Sequence, residues 1–180
     1  MDEDNAIAKL RAGAHPLRLR ILSLLTGAEM SAAEVARELD VTHANASYHL
    51  RVLAEAGQIV EAGEVRIRGG VAKRYRHPWR DKHLTAHSPE ERQAIVRAAA
   101  EELVRRTTLH RPRIPIALTD AELWVTPEVW KRVLDLVKEA SVLLHAEAKP
   151  PRTRGTVHVN MTTALFQMKD GPKRMKDGRI

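Results

Sequence analysis

Residues 31–57 read SAAEVARELDVTHANASYHLRVLAEAG, and this stretch decides the fold. Ser31 with Glu34 three positions on is a capping box, so a helix starts at Ser31. Val35, Ala36 and Leu39 give that helix an apolar face about two turns long. Asp40-Val41 breaks the pattern, and Thr42 caps a second, longer helix that runs to Gly57. In it Ala46, Leu50 and Leu53 fall four and then three residues apart, the spacing of a buried stripe. Two helices joined by a tight turn, the second the longer, are a helix-turn-helix.

Working outward, HPLRLRILSLLTG (15–27) predicts a preceding helix, with Pro16 at its first position and Leu17, Ile21, Leu24 and Leu25 at helical spacing. Gly27 reads as its C-terminal stop. Ile7, Leu10 and Ala14 suggest a shorter opening helix before it. On the other side, IVEAGEVRIRGGVAKRYRHP (59–78) reads as a hairpin with Gly69-Gly70 near its middle. A hairpin directly after a helix-turn-helix is a wing.

Beyond residue 80 the pattern changes. A polar connection runs to His87, and Ser88-Pro89-Glu90-Glu91 opens a helix to about Leu109 with Ile95, Ala99 and Leu103 on one face. Ile114, Ile116 and Leu118 alternate as a half-buried strand should. Thr126-Pro127-Glu128 starts a long helix with Trp130, Val133, Val137 and Leu144 as its face, stopped by Pro150-Pro151. GTVHVNMTTALFQM (155–168) predicts a last strand. It carries Val157, Val159 and Met161 in one phase and Ala164, Phe166 and Met168 in the other, with a bulge or switch of covered face near Thr162-Thr163. The fold class expected is α+β: a winged helix-turn-helix domain over 1–80, a helix–strand–helix–strand unit for dimerisation and sensing over 81–169, and a basic, disordered tail over 170–180.

The 180 residues carry 30 Lys and Arg against 23 Asp and Glu, a formal charge of +7. A basic balance favours a polyanionic partner, because each cation set on a phosphate releases condensed counterions. Aromatic residues make up only 3%, which argues against the stacking platforms that bind single strands or RNA. The absence of cysteine excludes disulfides, thiolate metal sites and thiol nucleophiles. No apolar run approaches the roughly 18 residues of a membrane span. The acidic start MDEDNAIAKL has no signal-peptide core, so a cytoplasmic protein is expected. No nucleophile–base–acid trio, phosphate loop or carboxylate pair stands out; enzymatic activity and a cofactor are not expected.

If Ala46, Leu50 and Leu53 are inward, the outward face of the second helix carries His43, Ala44, Asn45, Ser47, Tyr48 and Arg51. Its first turn, His43-Ala44-Asn45, is the part that enters a major groove. His, Asn and Ser can reach base edges and Ala can touch a thymine methyl. Tyr48 and Arg51 suit phosphates, which position without reading sequence. His49 lies beside the stripe and reads as structural, bonding to neighbouring backbone. On the wing, Arg66, Arg68, Lys73, Arg74 and Arg76 stand against Glu61 and Glu64. A basic hairpin tip can reach phosphate or the minor groove; equally, a charged edge discourages sheet aggregation.

Two further constellations weigh less. His83 and His87 have metal-ligand spacing on a helix, with Glu90 and Glu91 nearby, but Ser88-Pro89 starts the helix after both, so no metal site is expected. Trp124, Trp130, Phe166 and Met168 can line an apolar ligand pocket, or simply form core.

AHPLRLRILSLL, SAAEVARELDVTHANASYHLRVLAEAGQIVE and the Gly-Gly wing, in that order, resemble the ArsR-type winged-helix transcriptional regulators over residues 10–78. ALTDAELWVTPEVW and KPPRTRGTVHVNMTTALFQM look like the extension carried by a non-metal branch of that family. The resemblance implies a homodimer, a palindromic operator in double-stranded DNA and, usually, repression. It does not imply metal sensing here, because SAAEVAREL offers Glu34 and Glu38 but no cysteine. An effector is not identified. Two other readings stay open: a winged helix that binds protein, and a small-molecule-binding protein whose DNA contact is secondary.

Overall fold

The computed structural model describes residues 15–67, 70–80 and 88–169. The chain order is α1 (Pro16–Gly27), β1 (Met30–Ser31), α2 (Ala32–Leu39), α3 (His43–Glu55), β2 (Val60–Ile67), β3 (Gly70–Arg76), α4 (Pro89–Thr107) and α5 (Pro127–Ala146). The suggested opening helix, residues 68 and 69 at the wing tip, the connection holding His83 and His87, and the basic tail lie outside the described residues.

Local chemistry sets the helix starts. The His15 Nδ1 accepts the Leu17 N–H at 3.1 Å, ahead of Pro16 at the first helical position. Ser31 and Glu34 close their capping box reciprocally, as do Ser88 and Glu91. Thr42 accepts the Asn45 N–H, and Thr126 caps α5. Between α2 and α3 the backbone turns through Asp40, which takes a left-handed conformation at φ 54°. Asp is among the few residues besides glycine that adopt this shape readily.

One apolar core holds this unit together. Ile21 and Leu25 from α1, Val35 and Leu39 from α2, and Ala46, Leu50 and Leu53 from α3 converge in it, with Met30, Ala56 and Ile59. Arg20 donates from α1 to the Leu39 carbonyl at the end of α2, tying the two helices. The hairpin is antiparallel, pairing Val60 with Arg76 and Ile67 with Gly70, with a bulge between Glu61 and Gly63. The sheet has a third strand that sequence reading missed. β1, only Met30 and Ser31, pairs antiparallel with Tyr75 and Arg74, giving the order β1-β3-β2. The arrangement is α+β and that of a winged helix-turn-helix.

α4 packs against α1. Its inward line is centred on Ala98 and Glu102, with the expected Ile95, Ala99 and Leu103 half-buried beside it. The buried Glu102 is held by Arg105, at 2.9–3.1 Å, and by Arg106.

The remainder is built differently. No described residue beyond Glu102 is buried, and α5 buries none of its side chains. The two C-terminal strands expected from alternation are not formed: 112–126 and 147–169 contain no strand. The physical reason is that a strand needs a neighbour to take its hydrogen bonds, and neither segment has one among the described residues. None of the described helices is long and apolar enough to cross a membrane.

Candidate nucleic-acid interface

α3 is fixed from beneath. Ala46, Leu50 and Leu53 are 0–1% exposed, so its rotation about its own axis is set by packing. His43, Ala44, Asn45, Tyr48 and Arg51 stand outward, and Ser47 is half-buried at the edge. All six residues expected on the reading face are therefore brought together on one side of one helix, with the first turn open to solvent. Arg51 has no ion-pair partner among the described residues.

His49 does not make the backbone bond expected of it. It is 6% exposed, and its Nδ1 is buried with no hydrogen-bond partner. Its ring instead lies against two others: His15 at 4.8 Å between centroids, and Tyr48 at 5.2 Å edge-on. Burial lowers the basicity of His49, and the nearby His15 and Arg18 charges lower it further. His15 is lowered by burial and by Arg18, against a raising pull from Glu101. Two histidine rings in contact, both made less basic by burial, thus join the start of α1 to the middle of α3. Sequence reading used His15 only as the lead into α1; the pairing carried no local signal.

The wing is less free than its composition suggests. Lys73 Nζ lies 2.6 Å from Glu61 Oε1, a bond that raises the lysine pKa. Arg74 turns back toward the body. It donates to the Glu29 carbonyl and stands 3.9 Å from Glu34. Glu34 is itself held below the usual carboxylate range, chiefly by the Ser31 N–H. Arg66 and Arg76 are exposed and unpaired among the described residues. Arg68 lies outside the description.

Behind the wing, His77 fastens the hairpin exit to the core. Its N–H donates to the Leu25 carbonyl and its ring Nδ1–H to the Gln58 carbonyl at 2.7 Å. Trp79 packs against His145 at the end of α5. The following segment crosses close to α1: a Cβ on Gly27 would sit 2.8 Å from the Lys149 carbonyl oxygen. Gly27 is the last residue of α1 and not a left-handed stop; what it supplies is room for this crossing. Arg152 then reaches Glu38 on α2. The C-terminal segment is thereby in contact with α2, the helix that precedes α3.

The aromatic quartet is not assembled within one chain. Trp124 is 84% exposed, Phe166 and Met168 are exposed, and Trp130 is half-buried. An open groove of about 620 Å³ lies elsewhere, between Gly27, Met30, Arg74, Trp79 and Pro150. Among the described residues, no three His, Asp or Glu side chains are placed to hold a metal ion.

A family model described as a helix-turn-helix domain matches residues 14–60. The chain carries a helix-turn-helix domain. This match and the outward polar face of α3 support a DNA-binding regulator of transcription acting on double-stranded DNA. The match ends at the first residue of β2; the wing and everything after it lie beyond it. No curated protein matches the sequence.

Proposed function

We propose that this helix-turn-helix protein is a transcriptional repressor of the ArsR type. It acts in the cytoplasm as a homodimer on a palindromic operator and catalyses no reaction. The observation that carries the reading is the two-sided character of α3. A fully buried apolar stripe fixes the helix, so His43, Ala44, Asn45 and Ser47 are presented together at its first two turns. A rigid reader is what base recognition requires, since a bidentate or apolar base contact discriminates only when the side chain is held in register. Arg51 and Arg66 supply phosphate anchors beside it.

Two features support the dimer. Each chain has one reading helix, and a palindrome presents two half-sites about 34 Å apart or a multiple of that. The described part of the C-terminal half also exposes many large apolar side chains, among them Leu118, Leu123, Trp124, Val157 and Phe166, and extensive exposed apolar surface is a mark of an interaction site. A second copy over that surface would enclose Trp124, Trp130, Phe166 and Met168, which makes them the candidate effector pocket.

One observation favours a protein-binding winged helix instead: Lys73 and Arg74 are engaged inside the chain and so contribute less to a polyanion surface. Selection of bound duplexes from a random pool separates the readings. The repressor reading predicts an enriched inverted repeat, with half-site centres one helical turn or a multiple apart. A pool that stays random through successive rounds would overturn it.

A further inference from the structure

We propose that the contact between His15 and His49 is a pH-sensitive joint: mild acid opens it, frees α3 from the start of α1 and lowers affinity for double-stranded DNA. The inference rests on the DNA-binding reading of α3 and adds a control to it.

The joint is built for uncharged rings. His49 lies on the buried side of α3 with Ala46, Leu50 and Leu53, and is itself 6% exposed. Its Nδ1 is buried with no hydrogen-bond partner, and neither ring is ion-paired to a carboxylate among the described residues. A proton added to His49 would place a charge in the core with nothing to offset it. The His15 ring lies 4.8 Å away between centroids. His15 Nδ1 accepts the Leu17 N–H at 3.1 Å, so this nitrogen carries no proton and the ring holds its own on Nε2. A second proton, at Nδ1, would turn that acceptor into a donor facing a donor and remove the cap of α1. It would also set a positive charge at the positive end of the helix dipole. Two facing rings that both take up a proton repel each other.

The surroundings do not rescue the charged forms. On α1, Arg18 disfavours a charge on either ring. On α3, Tyr48 meets His49 edge-on at 5.2 Å and offers an aromatic edge, not a carboxylate. On α2, Glu34 is engaged with Ser31 and Glu38 with Arg152. On α4, Glu90, Arg97 and Glu101 line a groove with Pro16, and of these Glu101 favours a charge on His15. Burial, the largest influence on both rings, opposes it. The charge is relieved when the rings part and reach water, so the open arrangement has the higher proton affinity and gains as pH falls below about 6.5. His49 sits on the side of α3 that holds His43, Ala44, Asn45 and Ser47 outward, and base reading needs those side chains held in register.

Two measurements on the full chain test the joint. In the first, NMR follows the ring protons of His15 and His49 from about pH 8 to about pH 5 without DNA. The expected result is a ring-to-ring NOE that is lost as the two rings protonate, below about pH 6.5. Protonation of both rings with the NOE intact would overturn the joint, and this measurement needs no variant. In the second, dissociation constants for a duplex are compared at about pH 7.5 and about pH 5.5 for the parent and the double variant His15→Asn, His49→Leu. Asn keeps a capping acceptor and takes up no proton, and all other histidines are common to both proteins. Linked uptake of one proton changes an equilibrium by up to about tenfold per pH unit, so the parent should lose about fivefold or more affinity beyond the loss in the variant. Equal losses in the two proteins would overturn the inference alone. No duplex binding by the parent at any pH would overturn the DNA-binding reading, and the inference with it.

Discussion

His49 places a buried imidazole on the inner side of α3, next to the His15 ring that caps α1. His15, His49 and His77 are all made less basic by burial. The charges facing the first two are Arg18 and Glu101, while His145 faces His77. The sign of the effect follows. A histidine with a folded pKa below its unfolded value contributes no loss of stability above about pH 6.5. As pH falls below 6.5 the unfolded chain takes up protons that the folded one refuses, and stability declines until the folded pKa is passed. The melting temperature should therefore fall between pH 7 and pH 5, and His49→Leu should shallow that decline. A decline of identical slope in the variant would remove His49 from the account. At Gly27 the constraint is space. An added methyl meets the backbone carbonyl of Lys149 at 2.8 Å, so Gly27→Ala should cost about 1–3 kcal/mol as the crossing segment is displaced. Denaturant unfolding reads the cost; a variant as stable as the parent would mean that the crossing can shift freely.

The helices show where sequence was sufficient. Their signals are local: a cap, a proline at the first turn and an apolar stripe lie within a dozen residues, so α1, α2, α3 and the start of α5 are legible. Ser31→Ala tests one such signal. It removes the acceptor for the Glu34 N–H and a donor to the Glu34 carboxylate, and should cost about 1 kcal/mol in chemical denaturation; no measurable loss would show that the box is redundant. What was not legible depends on distant partners. β1 is two residues long and exists only because Tyr75 and Arg74 arrive beside it. The inward turn of Arg74 toward Glu29 and Glu34 and the pairing of Lys73 with Glu61 are contacts between residues 12 or more positions apart, so a list of basic residues overestimates the free charge of the wing. The α4 stripe was read beside its true centre because Glu102, a charged residue, occupies a buried position, held by arginines from the next turn. The two C-terminal strands expected from alternation are not formed, because alternation marks a segment able to be a strand but does not supply the neighbour that would take its hydrogen bonds.

At the scale of the molecule, a well-packed helix-turn-helix unit is joined to a half in which no described residue beyond Glu102 is buried. The junction is specific: Trp79 on His145, Lys149 over Gly27, and Arg152 on Glu38 place the C-terminal segment against α1 and α2. The functional account stands on the outward face of α3. The measurement that tests it most directly is a set of dissociation constants, over a range of salt, for a selected operator and an unrelated duplex. The parent protein, His43→Ala, Ser47→Ala and Arg66→Ala are compared. Base-reading residues matter only where the right base sits. His43→Ala and Ser47→Ala should each cost on the order of 1–3 kcal/mol on the operator and little on the unrelated duplex. A phosphate anchor is indifferent to sequence, so Arg66→Ala should weaken both duplexes alike and reduce the log–log salt slope by about one. The account predicts that operator preference collapses with the α3 variants and survives in Arg66→Ala; operator preference intact in both α3 variants would contradict it.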